Sequence, residues 1–247
     1  EGSNMENMNN DLKMSGSGSS CGGKYNDVFI SGSGKINGDL DCVYFKTSGS
    51  SKVIGNLKAE TIKISGSSNI EGNVEVKDIK ISGSTHVIGN LKSENVSISG
   101  STHIDGNLHS QEVNISGSVT IGKNCEAECF KANGGFKIQE LLNAGQITIR
   151  LGGNCFVKEI GGEHIDIRVH PMDNSIFRKA IDKIFNTRAE LTTDLIEGDD
   201  IYLQNTNVNI VRGNNITIGT GCNIGLIEYK CEINVSESSI VKNQKKI

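Results

Sequence analysis

From Ile30 to Asn124 the chain repeats itself every 17 residues. Ile36, Val53, Ile70, Val87, Ile104 and Ile121 form one apolar column at that spacing. Leu40, Leu57, Val74, Leu91 and Leu108 form a second, and Phe45, Ile62, Ile79, Val96, Val113 and Phe130 a third. Ile30, Ile64, Ile81, Ile98 and Ile115 form a fourth, on multiples of the same step. Between them, stretches such as Ile62-Lys63-Ile64 alternate with period 2, which places one side chain inward and the next outward on a strand. Ser-Gly-Ser triplets centred on Gly32, Gly49, Gly66, Gly83, Gly100 and Gly117 punctuate the pattern. A second glycine column runs from Gly38 to Gly106, and an asparagine column from Asn56 to Asn124 with Asp39 at its head. Glycine and asparagine suit tight corners.

Repetition this regular decides the architecture before any local propensity does. The reading is an all-β fold: a right-handed parallel β-helix of 17-residue rungs, triangular in section. Equivalent residues of successive rungs then stack about 4.8 Å apart. One rung cannot bury its own apolar face, so stability accumulates between neighbours. Residues 25–170 hold about eight rungs, the later ones drifting from 17 but keeping Ile138, Leu142, Ile147 and Ile149, then Ile160, Ile165 and Ile167, at inner positions. Pro171 ends the strand pattern. The apolar stripe Ile176, Phe177, Ala180, Ile181, Ile184 and Phe185 predicts an α-helix over 174–188, within a helix and linker segment 171–193. Its residues Ile176, Phe177, Ile181 and Phe185 are candidates for capping the stack or meeting a partner. Strand pattern resumes over 194–237, where Ile201 and Ile218, Ile210 and Ile227, Ile216 and Ile233, and Ile218 and Val235 are again 17 apart. Residues 1–24 read as a flexible tail, with 1–4 a cloning remnant, and 238–247 as a basic tail.

Composition narrows the function classes. Aromatics are 4% of the 247 residues, Trp is absent, and the net charge is −4, so no basic face for nucleic acid is expected. The sequence shows neither a secretory signal peptide nor an apolar run long enough for a membrane-spanning helix, and the expected location is cytoplasmic. Met5, Met8, Leu12 and Met14 give the N-terminal tail a weak membrane-contacting character. Seven cysteines without a CxxC pair read as free thiols of a reducing compartment.

Candidate chemistry is sparse. His86 and His103 occupy one column and so lie one rung apart, but two imidazoles alone do not make a metal site, and none is expected. Glu60, Glu71, Glu75, Asp78, Glu94 and Asp105 are scattered rather than clustered as in a polysaccharide-cleaving β-helix. Ile218-Gly219 and Ile224-Gly225 have the six-residue spacing of hexapeptide acyltransferases, but a 17-residue rung is not the 18-residue rung such enzymes need. No catalytic residue, cofactor or metal is expected.

The segments Ile64–Val74, Ile81–Leu91 and Ile98–Leu108, each Ile-Ser-Gly-Ser-x2-Ile/Val-x-Gly-Asn-Leu/Val, resemble the rungs of the bactofilins. The stretch Glu197–Tyr229 looks like the C-terminal part of a longer Firmicute branch of that family. The resemblance implies nucleotide-independent filaments and a scaffold near the membrane or cell envelope. Backbone physics agrees, because an uncovered terminal rung presents unpaired N–H and C=O groups to another subunit. Phe29, Ile30, Ile224 and Leu226 are the candidate self-association residues near the ends. The alternatives are a monomeric or dimeric β-helix adaptor with a capped end, and an enzyme of the hexapeptide or polysaccharide-acting kind.

Overall fold

The computed structural model describes residues 10–170 and 189–247. The described residues are strand, turn and bend, with no helix among them, and the helix expected over 174–188, with Ile176, Phe177, Ile181 and Phe185, lies outside them. The chain divides into two units, Glu1–Asn107 and Leu108–Ile247. The described residues of each form a parallel β-solenoid, with about 13 turns among them in all.

In the first unit the regular turn has one short and one long strand. Ser50–Ile54 is followed by Leu57–Ile64, Ser67–Ile70 by Val74–Ile81, and Ser84–Val87 by Leu91–Ile98. All pair in parallel at the 17-residue step, so that Ile36, Val53, Ile70, Val87 and Ile104 stack in register. Leu40, Leu57, Val74 and Leu91 stack likewise, as do Phe45, Ile62, Ile79 and Val96. The long strand bends midway. Ladder pairing skips Val43, Glu60, Lys77 and Glu94, and the inward phase changes there from Leu57 and Ala59 to Ile62 and Ile64. This skip is the third corner of the rung. The large inward side chains are at most 2% exposed, each contributing about 1.5–3 kcal/mol of burial.

Two further inward columns read as polar or small in the sequence. One is Cys42, Ala59, Val76 and Ser93; the other is Gly34, Ser51, Ser68, Thr85 and Thr102. Their buried hydroxyls turn to neighbours where they can. Ser51 Oγ donates to Ser68 Oγ at 2.9 Å, and Ser93 Oγ lies 2.9 Å from the Lys77 and Asn95 carbonyls. The hydroxyls of Thr47, Thr85 and Thr102 are buried with no partner among the described residues.

The expected flexible tail over 1–24 is not what the described part of it forms. Leu12–Met14 and Ser17–Ile30 are strands, with Leu12 opposite Val28 and Met14 opposite Ile30. Met14-Ser15-Gly16-Ser17 is an earlier copy of Ile30-Ser31-Gly32-Ser33, set 16 residues away instead of 17. Met14 Sδ and the Ile30 methyls occupy the space that a side chain at Gly34 would need.

The second unit keeps the parallel ladder while its step changes. Val113 pairs with Phe130, and Ile147 and Ile149 pair with Ile165 and Ile167. Ile165 and Ile167 then pair directly with Ile201 and Leu203, so the strands before and after the undescribed segment are adjacent rungs of one stack. The next step is shorter than expected. Ile201 pairs with Ile216, not Ile218, and Ile210 with Leu226, not Ile227. The shortening is absorbed at the corner between Leu203 and Thr206, where Asn205 takes a φ of 44°, a left-handed value that asparagine tolerates. Ile216 with Ile233 and Ile218 with Val235 keep the 17-residue step. The expected basic tail also joins the ladder: Ile240–Lys246 is a strand paired with Asn223–Val235. It forms because Ile240-Val241 repeats Asn223-Ile224 one rung on.

Candidate functional site

In-register stacking puts like side chains of successive turns side by side on the outer faces as well. The Gly-Asn corners of the first unit form a ladder. The Oδ1 of Asp39 accepts the Asn56 backbone N–H at 2.7 Å, and Asn56, Asn73 and Asn90 each accept that of the next asparagine at 2.8–2.9 Å. Each corner thereby satisfies a backbone donor of its neighbour. On the flat faces the columns pair charges, as in Lys52 with Glu71 at 2.8 Å and Lys58 with Glu75 at 3.3 Å. The scattered acids are therefore partly used in cross-rung pairing.

The same logic produces one cluster of titratable groups in the first unit. His86 and His103 are directly opposed in the ladder between Ser84–Val87 and Ser101–Ile104. Their rings stand edge to face, 5.0 Å apart. Asp105, at the turn after the second strand, sends Oδ1 to both: 2.9 Å from His86 Nε2 and 2.8 Å from His103 Nε2. The three side chains are about half exposed, and the neighbouring outward residue Ile88 is 45% exposed. The sequence places the two histidines in one column; that a single carboxylate serves both depends on the turn that follows Ile104.

In the second unit, registered polar ladders recur. Arg212 lies between Glu197 and Glu228, at 3.3 and 2.8 Å, and these two carboxylates raise its pKa. Asp200 pairs with His164 at 3.1 Å and accepts from Asn215 Nδ2 at 2.7 Å. Arg168 stacks on Tyr202 at 4.1 Å while bonding Asp166. An open groove of about 930 Å³ is lined by Thr120, Phe136, Lys137, Cys155, Phe156 and Glu190 among others. Cys155 is a poor nucleophile there, because burial pushes its thiol up to about 11. Burial likewise pushes Cys42 up to about 12 and raises Cys125 and Cys222.

The four candidate end residues do not lie on the outermost described rungs. Ile30 is 1% exposed beneath Met14, and Phe29 faces outward against Tyr44, with Lys13 over its ring. Ile224 is fully buried opposite Val241, and Leu226, opposite Asn243, is half-buried. They sit one turn in because Leu12–Met14 and Ile240–Lys246 add a rung beyond each. On the C-terminal side the exposed large apolar residues are Val235 at 36%, Ile240 at 64% and Ile247 at 49%. No described helix is long and apolar enough to cross a membrane.

Comparison with known proteins bears on the same turns. The family model for bactofilins, described as polymer-forming cytoskeletal, matches residues 7–92. The uncharacterized protein YhbF of Bacillus subtilis (strain 168) is 36% identical over 108 residues, 43% of this chain and 42% of that protein. The uncharacterized protein YhbE of the same organism is 35% identical over 112 residues, 45% of each chain. The matched region thus spans less than half the length of these curated relatives. No solved structure matches the chain. Residues 7–92, which hold most of the 17-residue ladder of the first unit with its glycine and asparagine corners, are thus similar to the bactofilin family of polymer-forming cytoskeletal proteins.

Proposed function

We propose that the chain is a non-enzymatic scaffold that assembles with copies of itself through the ends of its β-solenoid, without nucleotide. The observation that supports this most directly is the pairing of the outermost described strands. Ile240–Lys246 pairs with Asn223–Val235 on one side, and no described strand pairs with its other side. A row of free N–H and C=O groups there is a template for another strand. Val235 and Ile240 supply exposed apolar surface beside it. At the other end of the sequence, Leu12–Met14 has its described strand partner in Ser17–Ile30. Lys242, Lys245 and Lys246 along the C-terminal strand tune this edge, since edge lysines disfavour indiscriminate pairing. The family's cytoskeletal character fits a cytoplasmic location, with a membrane surface or an envelope protein as a further partner.

The test is negative-stain electron microscopy with light scattering on the full chain, without added nucleotide, across salt and protein concentration. Filaments or concentration-dependent oligomers are expected. Replacing Val241 with proline, which removes a backbone donor that points away from Asn223–Val235, should shift the population toward monomer. Monomers under every condition would refute self-assembly and favour the adaptor reading.

A further inference from the structure

We propose that His86, His103 and Asp105 form a binding site for a borderline divalent transition-metal ion, of the Zn²⁺, Co²⁺ or Ni²⁺ kind, that fastens two successive turns of the first unit together. Three features carry the assignment. The histidines come from adjacent strands in direct register, so backbone pairing rather than side-chain chance brings the rings within 5.0 Å. Both direct the same atom, Nε2, at the same carboxylate oxygen, 2.9 and 2.8 Å away. The three ligand atoms all lie within 4.8 Å of one another.

The geometry needs only small movement. Two ligands on a tetrahedral ion with Zn–N of about 2.0–2.1 Å stand roughly 3.3 Å apart. The Oδ1 to Nε2 separations are already shorter than this. Closing the remaining gap between the rings takes side-chain rotation, which half-exposed imidazoles are free to make. The two hydrogen bonds that converge on Oδ1 are replaced in kind: a cation takes the place of the protons held between the same three atoms. The strands beneath are fixed by inward Thr85, Val87, Thr102 and Ile104, each at most 3% exposed, so the ligand positions are preorganised.

Donor chemistry selects the ion. Two imidazoles and one carboxylate suit Zn²⁺, Co²⁺, Ni²⁺ and Cu²⁺, whereas Mg²⁺ and Ca²⁺ prefer oxygen donors throughout. Three protein ligands on an exposed face leave at least one coordination position open to water. Elsewhere the same outward column carries Lys35, Lys52 and Asn69, and Lys52 there pairs with Glu71 instead. The ligand set is therefore confined to these two turns.

The test uses the full chain with Cys21→Ser and Cys231→Ser, so that the two exposed thiols cannot bind metal. Zn²⁺ is titrated by calorimetry and Co²⁺ by its visible absorption. Amide exchange is followed over Ser84–Val87 and Ser101–Ile104. The expected result is Zn²⁺ and Co²⁺ binding that weakens at least about tenfold in His86→Asn and in His103→Asn, with slower exchange of those amides only when the metal is bound. Asn69 already occupies the column one rung earlier, so asparagine is compatible with the fold there. No binding, binding undiminished in both histidine variants, or equal response to Mg²⁺ would overturn the assignment. So would Zn²⁺ binding that leaves exchange over both strands unchanged, because the ion would then not join the two turns.

Discussion

Thr85→Val should stabilise the first unit, because the native hydroxyl is buried at 3% exposure without a hydrogen-bond partner among the described residues. Leaving such a group unsatisfied costs about 1–3 kcal/mol. Valine keeps the branched shape at Cβ and replaces the hydroxyl with a methyl of similar size. The expected gain is therefore about 1–3 kcal/mol, reached by removing a penalty rather than adding a contact. The gain belongs to one rung of a solenoid, and solenoids open locally, so the sharper assay is native-state hydrogen exchange. Amides of Ser84–Val87 and their partners in Ser67–Ile70 should exchange roughly 5- to 150-fold more slowly, given a tenfold change per 1.4 kcal/mol. Thr102→Val, at the next rung, should behave alike, and the pair is expected to be less than additive because the sites are stacked neighbours. Ser51→Ala supplies the opposite case. It removes a hydroxyl that does bond, to Ser68 Oγ at 2.9 Å, and should destabilise by about 1 kcal/mol. The reasoning fails if Thr85→Val and Thr102→Val both speed local exchange, or if Ser51→Ala slows it.

Gly83→Ala should destabilise by about 3 kcal/mol, read as a fall in denaturation midpoint, because its Cβ would enter the Gly66 carbonyl oxygen that Ser84 N–H bonds at 2.9 Å. Gly18→Ala, with nothing within 4 Å of the added carbon, should stay within about 0.5 kcal/mol in the same measurement. Asn73→Ala removes the acceptor for Asn90 N–H and Nδ2 and should cost about 1–2 kcal/mol by urea unfolding, whereas Asn73→Asp keeps an acceptor, as Asp39 does at the head of the ladder, and should cost less. A thiol reagent at neutral pH should modify Cys21 and Cys231 rapidly in the folded chain, and Cys42, Cys125, Cys155 and Cys222 only after denaturation, because burial raises these four thiols and shields them; mass spectrometry of the labelled peptides decides this.

The register of the first unit was legible in the sequence because parallel in-register stacking brings the residue 17 positions on to the equivalent place in the next rung. Four columns of Ile, Val, Leu and Phe therefore announced both the strand pairing and the core. The two small inward columns were not legible: Ser51, Ser68, Thr85 and Thr102 are polar letters, and only their place on the ladder shows that they point inward. The same limit applies wherever the step departs from 17. Met14-Ser15-Gly16-Ser17 is a rung offset by one residue, and Ile201 pairs 15 residues ahead to Ile216 because a two-residue corner closes the turn. A fixed period sees neither, since backbone pairing tolerates a corner gaining or losing residues while the strands stay in contact. The one-residue offset puts an outer rung beyond Ile30, whereas Ile240–Lys246 keeps the 17-residue step and adds a rung beyond Ile224 with only Ile240 and Val241 as apolar letters to mark it. At the candidate metal site the repeat aligned His86 with His103, but Asp105 joins them through the path of a turn, which no periodicity encodes. Sequence alone thus determined the β-helix and the register of its regular turns, through the identity of stacked positions. Tertiary structure decided where the stack is edged and which outward side chains meet, because both depend on corners whose length and direction the repeat leaves free.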